Sequence, residues 1–191
     1  MMAPVLRRTM GASKALNTTR VMVRIVLLGC AGSGKTSLAR RLGECTGAPV
    51  ISLDDIWQRH WDEQDVAVFR TLIGNAHAGD EWISDGNFAL ANFDIRLPRA
   101  TLVIWLERSK VSCSWRVVRR AFRPGEAHRV GNLPEVLAFI RKFDRVNRPR
   151  IEAMRLAHGP QVPVRRLTGD RDIENFLSAY CADDSPRIPH G

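Results

Sequence analysis

No stretch of the 191-residue chain approaches the roughly 18 uncharged apolar residues of a membrane-spanning helix, so no such span is expected. Cysteine is sparse: Cys30, Cys45, Cys113 and Cys181 lie far apart, form no CxxC pair, and point to reduced thiols in the cytosol. The histidines His60, His77, His128, His158 and His190 do not cluster at metal-ligand spacing, which leaves no zinc-type framework. The first twenty residues contain no acid. They carry Arg7, Arg8, Lys14 and Arg20 without the apolar core of a secretory signal, as in a loose basic tail; a transit peptide has a similar composition. A true start at Met10 or Met22 would look the same. With 45% apolar and 26% charged residues, the chain is neither disordered, collagen-like nor a coiled coil. Its length suits one domain that folds without a disulfide or metal staple.

Lysine is also scarce, and the excess positive charge comes from arginine. Four lysines stand against twenty-five arginines, and the net charge is +9. The window 108–155 alone carries a net +9. A guanidinium fork matches phosphate oxygens in bidentate geometry, so a phosphate-rich ligand is one expected partner; an arginine-rich solvated face is the other reading.

Apolar runs alternate with helical patterns along the chain. Strands are expected at 21–28 (VMVRIVLL), 50–53, 82–84, 101–106 (TLVIWL) and 162–167. Helices are expected at 35–45, 65–78, 109–122 and 172–180. A long helix is expected at 134–156, kinked at Pro149. In helix 109–122 the apolar side is expected to be Val111, Trp115, Val118 and Phe122. Five strands alternating with helices give a three-layer α/β/α sandwich around a five-stranded parallel sheet. One domain is expected over 21–180, with a frayed tail over 181–191 and an arginine-rich segment at 116–132 as the only candidate insertion.

One motif carries explicit chemistry. Gly29-Cys30-Ala31-Gly32-Ser33-Gly34-Lys35-Thr36 fits G-x-x-x-x-G-K-[ST] between an apolar strand and a helical pattern, with Ser37 continuing into the helix. The glycines let backbone N–H groups turn inward around phosphate oxygens, and the helix N-terminus adds its dipole. Lys35 can reach the β- and γ-phosphates of ATP, and Thr36 can hold Mg²⁺. The competing reading is a glycine-rich turn that binds nothing.

Carboxylates are expected at the ends of the neighbouring strands. Asp54 and Asp55 close the second strand, where they can position or deprotonate an acceptor hydroxyl, or cap the next helix. Asp85, before Gly86-Asn87, is the first candidate to share a Mg²⁺ with Thr36, and Glu107 at the end of TLVIWL is the second. A turn aspartate is the bland alternative for Asp85.

The ordered set GCAGSGKTSLARRL, ISLDDIW, EWISDGNF, DIRLPRATLVIWLERS and SWRVVRRAF resembles the small adenylate-kinase-like P-loop proteins called DNA topology modulation proteins, over roughly residues 21–150. That resemblance implies a P-loop NTPase of nucleoside- or nucleotide-kinase type. Its Leu-Asp falls on Leu53-Asp54, and its Trp-Ile-x-Asp-Gly-Asn-Tyr on Trp82 to Phe88, with Phe88 in place of tyrosine. Its arginine before the fourth strand falls on Arg96, and its paired lid arginines on Arg116 and Arg119 or Arg120. It places Asp54, Asp55, Asn87 and Arg96 at the acceptor. The family's acidic, cysteine-containing stretch after the lid arginines is missing, since 123–132 is short and different.

Two functions follow. The first is an ATP- and Mg²⁺-dependent transfer to a small acceptor, with Lys35, Asp54, Asp85, Arg116 and Arg120 doing the chemistry and Arg119 on the nucleotide. In that reading Arg116, Arg119 and Arg120 share a helix face opposite Trp115 and point together at a phosphate. The second is a nucleic-acid-associated ATPase using the basic window, although no helix-turn-helix, zinc-finger or RNP signature is present. No Asn-Lys-x-Asp follows the fourth strand, which argues against a GTPase. Arginines converging on the loop favour the kinase; an outward stripe favours DNA.

Overall fold

The run Arg24–Gly29 (β1) has no polar residue after its first, and its side chains divide cleanly between two cores. Val26 and Leu28 join Val103, Trp105, Phe93 and Ile151 on one face of the sheet. Ile25 and Leu27 join Leu38, Leu42, Ile104 and Phe176 on the other. An uninterrupted apolar strand of this kind is stable only when helices cover both faces, and each fully buried Leu or Ile contributes about 1.5–3 kcal/mol. The computed structural model describes residues 22–59, 65–123 and 132–182. The expected basic tail at 1–20, most of the expected loop at 123–132, and the chain end beyond Ala182 lie outside the described residues.

Five strands form one parallel sheet in the order β2-β3-β1-β4-β5, with β2 at Val50–Ser52, β3 at Trp82–Asp85, β4 at Leu102–Leu106 and β5 at Val164–Leu167. Helices α1 (Lys35–Thr46) and α8 (Asp170–Ala182) cover one face through Leu38, Leu42, Ile173 and Phe176. The other face carries α4 (Ala89–Arg96), α5 (Lys110–Ala121), α6 (Leu133–Lys142) and α7 (Arg148–His158) through Phe93, Cys113, Ile140 and Ile151. A three-layer α/β/α sandwich around a five-stranded parallel sheet is therefore the observed architecture. Between β2 and β3 stand α2 (Leu53–Arg59) and α3 (Val66–Ala76), built on a separate cluster around Leu53, Phe69 and Ile73.

Several local expectations change. The chain enters α2 directly at Leu53, because the Ser52 hydroxyl caps the helix by accepting from the Asp55 N–H at 3.2 Å. Asp65 caps α3 in the same way, accepting from Ala67 N–H at 2.7 Å. Helix α4 is preceded by Phe88, whose backbone is left-handed at φ 35°, a conformation few side chains adopt. The long helix expected at 134–156 is interrupted by a π-helical turn at Phe143–Asn147. Pro149 follows that turn without a gap in the helix, so its missing N–H leaves the turn short of a donor, and the disturbance expected at the proline falls on the residues just before it.

The thiol expectation fails for two of the four cysteines. Cys45 at the end of α1 and Cys181 at the end of α8 form a disulfide with Cα atoms 5.7 Å apart, while Cys30 and Cys113 are free and buried. Helix α8 runs on to Ala182, so the expected tail begins later than residue 181.

Candidate functional site

The loop after β1 is shaped by helix α5. Cys113 and Val117, four apart, are the buried residues of α5, and they press on Gly32. A Cβ at Gly32, where φ is +75°, would lie 2.4 Å from the Cys113 carbonyl oxygen and 2.9 Å from a Val117 methyl. Only glycine allows this approach. Gly34 is also left-handed, at φ 101°, and turns the chain into α1. Cys30 and Ala31 pack into the core cluster beneath the loop. The Cys30 thiol is pushed up by its hydrogen bond with Cys113 and by burial, and the same bond brings the Cys113 thiol down. Ser33 is fully buried, and its hydroxyl has no hydrogen-bond partner. Lys35 donates from Nζ to the Gly29 and Cys30 carbonyls at 2.9 Å each, so its ammonium spans the loop. Ser37 is exposed in the first turn of α1.

Beside the loop, Asp85 ends β3 opposite Leu27 and Ser52, and is 6% exposed. Its Oδ2 accepts from the Thr36 hydroxyl at 2.6 Å. The sheet brings these two residues together because β1 and β3 are parallel neighbours with their carboxyl ends level. Glu107 is engaged elsewhere, since Arg148 and Arg166 both donate to its Oε1. Asp54 and Asp55 lie in the first turn of α2 rather than at the end of the strand, with Ser52 as the cap. Both are exposed to solvent, yet enough protein surrounds Asp54 to desolvate its carboxyl. That desolvation raises its pKa; Lys35 opposes the shift, and the Asp85 and Asp55 carboxylates add to it. Three residues on, Trp57 packs edge-on against Phe69 at 5.0 Å and against Phe88 at 6.1 Å, making an aromatic wall along α2.

Two residues expected at the acceptor hold backbone around the loop in this structure. The Asn87 side chain clamps Gly29: its Oδ1 accepts from the Gly29 N–H at 3.1 Å and its Nδ2 donates to the Gly29 carbonyl at 2.9 Å. Arg96 is fully buried. It donates to Ser84 Oγ at 2.8 Å, the Gly86 carbonyl at 3.1 Å and the Asn87 carbonyl at 2.7 Å. Burial lowers its pKa to about 9. A helix residue on the α4 side thus holds the turn after β3, and that turn holds the loop. The chain of bonds continues inward. His77 Nδ1 lies 2.7 Å from the Ile73 carbonyl, which can only accept, so Nε2 is the ring's acceptor for the Ser84 hydroxyl at 2.9 Å.

The lid arginines are not arranged as expected. The side of α5 expected to be buried faces outward, with Val111 79%, Trp115 64% and Phe122 79% exposed. The buried direction is instead that of Cys113 and Val117, which meet the loop at Gly32. Arg116, beside them, comes to the loop, with Nη1 3.7 Å from the position a Gly34 Cβ would take. Arg119 and Arg120 stand on the exposed far part of the helix. Two residues not foreseen join Arg116. Arg108, just after β4, donates from Nε to the Ser33 carbonyl at 2.8 Å and from Nη2 to Asp170. Asp170, the first residue of α8, accepts from Arg116 Nη2 at 3.1 Å on each oxygen. The bond from Arg108 holds the Asp170 carboxyl below the usual carboxylate range. Both residues lie at carboxyl ends of strands, a position that signals a site in open parallel sheets and would have found them. Among the described residues no group of three or more His, Cys, Asp or Glu side chains is placed to hold a metal, and no helix is long and apolar enough to cross a membrane.

No protein-family model and no curated protein matches the chain. Solved structures similar to it include a shikimate kinase from Acinetobacter baumannii in complex with shikimate, at 17% identity and TM-score 0.54, covering 86% of this chain and 96% of that one. A shikimate kinase from Bacteroides thetaiotaomicron is similar at 24% identity and TM-score 0.52, covering 83% and 96%. At these identities the likeness is one of fold, and the fold is that of a P-loop kinase-like protein.

Proposed function

We propose that the chain is a phosphotransferase that moves the γ-phosphate of ATP to a small acceptor: a nucleoside, a nucleotide or a hydroxyl metabolite. The observation that carries this reading is the Thr36 hydroxyl on the Asp85 carboxylate at 2.6 Å, at the mouth of a loop spanned by Lys35. Hydroxyl and carboxylate oxygens are the hard donors that Mg²⁺ takes, and with so few protein ligands the remaining positions fall to phosphate and water. The space at Gly34, where a Cβ would meet an Arg116 nitrogen only at 3.7 Å, leaves the loop backbone open to a phosphate chain at the start of α1. Bound there, Mg²⁺ supplies charge neutralisation on the moving phosphoryl group.

The chain's own residues do the rest. Lys35 and Arg116 bring positive charge to the phosphates. Asp54, with its raised pKa and its open face, accepts the acceptor hydroxyl's proton. The wall of Trp57, Phe69 and Phe88 along α2 backs the acceptor. Asn87 and Arg96 keep the loop and the β3 turn in register. The fold likeness to shikimate kinases and the resemblance to the topology modulation proteins both support a kinase-type site. The placement of the arginines favours transfer over nucleic-acid binding: Arg108 and Arg116 converge on the loop, while Arg148, Arg155 and Arg166 pair with Glu107 and Glu152.

The test is thermal melting with ATP and Mg²⁺, followed by ATP consumption against a panel of nucleosides, nucleoside monophosphates and hydroxyl metabolites. Ligand at a hundred times its Kd adds about 2.7 kcal/mol, or about 5–10 °C for a chain of this size. Lys35→Ala should remove most of that rise. An unchanged wild-type melt at millimolar ATP-Mg²⁺ would overturn the nucleotide site, and DNA-stimulated hydrolysis without transfer to any acceptor would turn the reading to the nucleic-acid alternative.

A further inference from the structure

We propose that Asp170 is the positioning residue of the phosphate site: one carboxylate at the start of α8 holds Arg116 over the loop and locks Arg108 on the loop backbone. This rests on the nucleotide site proposed above and deepens it. Arg116 reaches the carboxylate through Nη2, at 3.1 Å to each oxygen, which leaves its Nη1 beside Gly34. Arg108 donates to the same carboxylate through Nη2 and to the Ser33 carbonyl through Nε. The Arg108 side chain is 7% exposed and Arg116 37%, while Asp170 is 73% exposed. A carboxylate this open adds little to stability through its ion pairs. It also places a negative charge at the edge of a pocket suited to phosphates, which by itself weakens anion binding. What it offers in return is geometry. A guanidinium held on one side presents its remaining N–H groups in a fixed direction, and fixed donors bind an oxyanion without the ordering cost a loose side chain pays.

A bland alternative exists for an aspartate in the first turn of a helix: it merely complements the helix dipole. The two roles differ in sign. If Asp170 is only a surface anion, Asp170→Asn removes repulsion and tightens nucleotide binding. If it positions Arg116, the same change loosens binding even though a negative charge has gone.

The experiment is calorimetric titration of the full chain with ADP-Mg²⁺, in wild type, Lys35→Ala, Arg116→Ala, Asp170→Asn, Asp170→Glu and the Arg116→Ala/Asp170→Asn pair. Arg116→Ala is expected to weaken ADP about tenfold, and Asp170→Asn about three- to tenfold, with the double variant within about twofold of Arg116→Ala alone. Asp170→Glu keeps the charge and is expected to recover at least half of the lost affinity on a logarithmic scale. The melting temperature of Asp170→Asn should stay within about 2 °C of wild type without ligand. Unchanged or tighter ADP binding by Asp170→Asn, or additive losses in the double variant, overturn the inference while leaving the nucleotide site intact. Wild type that takes up no ADP, or Lys35→Ala that binds as wild type does, overturns the nucleotide site and this inference with it.

Discussion

Lowering the pH from 6.5 to 5 should destabilise this protein by about 2 kcal/mol through one residue, His77. The ring is fully buried between Ile73 and Ser84. Burial lowers its pKa from the ordinary 6.5 to about 4; the bond to the Ile73 carbonyl opposes this, and the charges of Arg96 and Arg99 add to it. The folded state therefore refuses a proton that the unfolded state accepts. Where the unfolded state binds more protons, stability rises with pH, so this contribution is fully present above pH 6.5 and is lost as pH falls towards 4. The full loss over that interval is about 3 kcal/mol, a large share of a small domain's margin. Carboxylates with lowered pKa values, such as Asp94, Glu152 and Asp170, lose their contributions only at lower pH. Urea midpoints measured at intervals from pH 7.5 to 5 give the slope. His77→Gln keeps a donor and an acceptor but does not titrate, so its slope over pH 5–6.5 should be nearly flat. Asp54, whose raised carboxyl acts in the opposite direction, is common to both proteins and cancels in the comparison. A wild-type stability independent of pH over this window, or an equal slope in His77→Gln, would refute the buried neutral imidazole.

Three further outcomes are expected. Asp85→Asn should cut turnover far more than it weakens ATP, because the carboxylate beside Thr36 matters most as charge moves in the transition state; initial rates over an ATP titration separate the two, and a loss confined to Glu107→Gln would move the role to Glu107. Gly32→Ala should abolish most nucleotide binding, and cost about 1–3 kcal/mol of stability, by driving a methyl into the Cys113 carbonyl at a left-handed position; binding and melting within error of wild type would refute the contact. Reducing the Cys45–Cys181 bond, which spans 136 residues, should lower stability by about 2–4 kcal/mol, or about 4–16 °C in Tm, and denatured unreduced protein should show two reactive thiols; four would mean that the bond does not form.

The sequence by itself determined what depends on neighbours along the chain. The apolar runs of β1 and β4 dictate a sheet buried on both faces, and the spacing from Gly29 to Thr36 dictates a phosphate loop between a strand and a helix. Asp85 was legible because a carboxylate at the end of a parallel strand stands level with that loop. Arg96, Asn87, Arg108 and Asp170 were not legible in their present roles, since a polar side chain's task depends on which segment folds against it. The resemblance puts Arg96 and Asn87 at the acceptor; only the fold shows that Arg96 is fully buried and that Gly29 lies within 3.1 Å of the Asn87 side chain. The α5 face was misread for the same reason. Periodicity marked Val111, Trp115, Val118 and Phe122 as the inward stripe, but it is Cys113 and Val117 that the fold brings against Gly32. Cys45 and Cys181 are remote in sequence, and only the packing of α1 against α8 brings their Cα atoms to 5.7 Å.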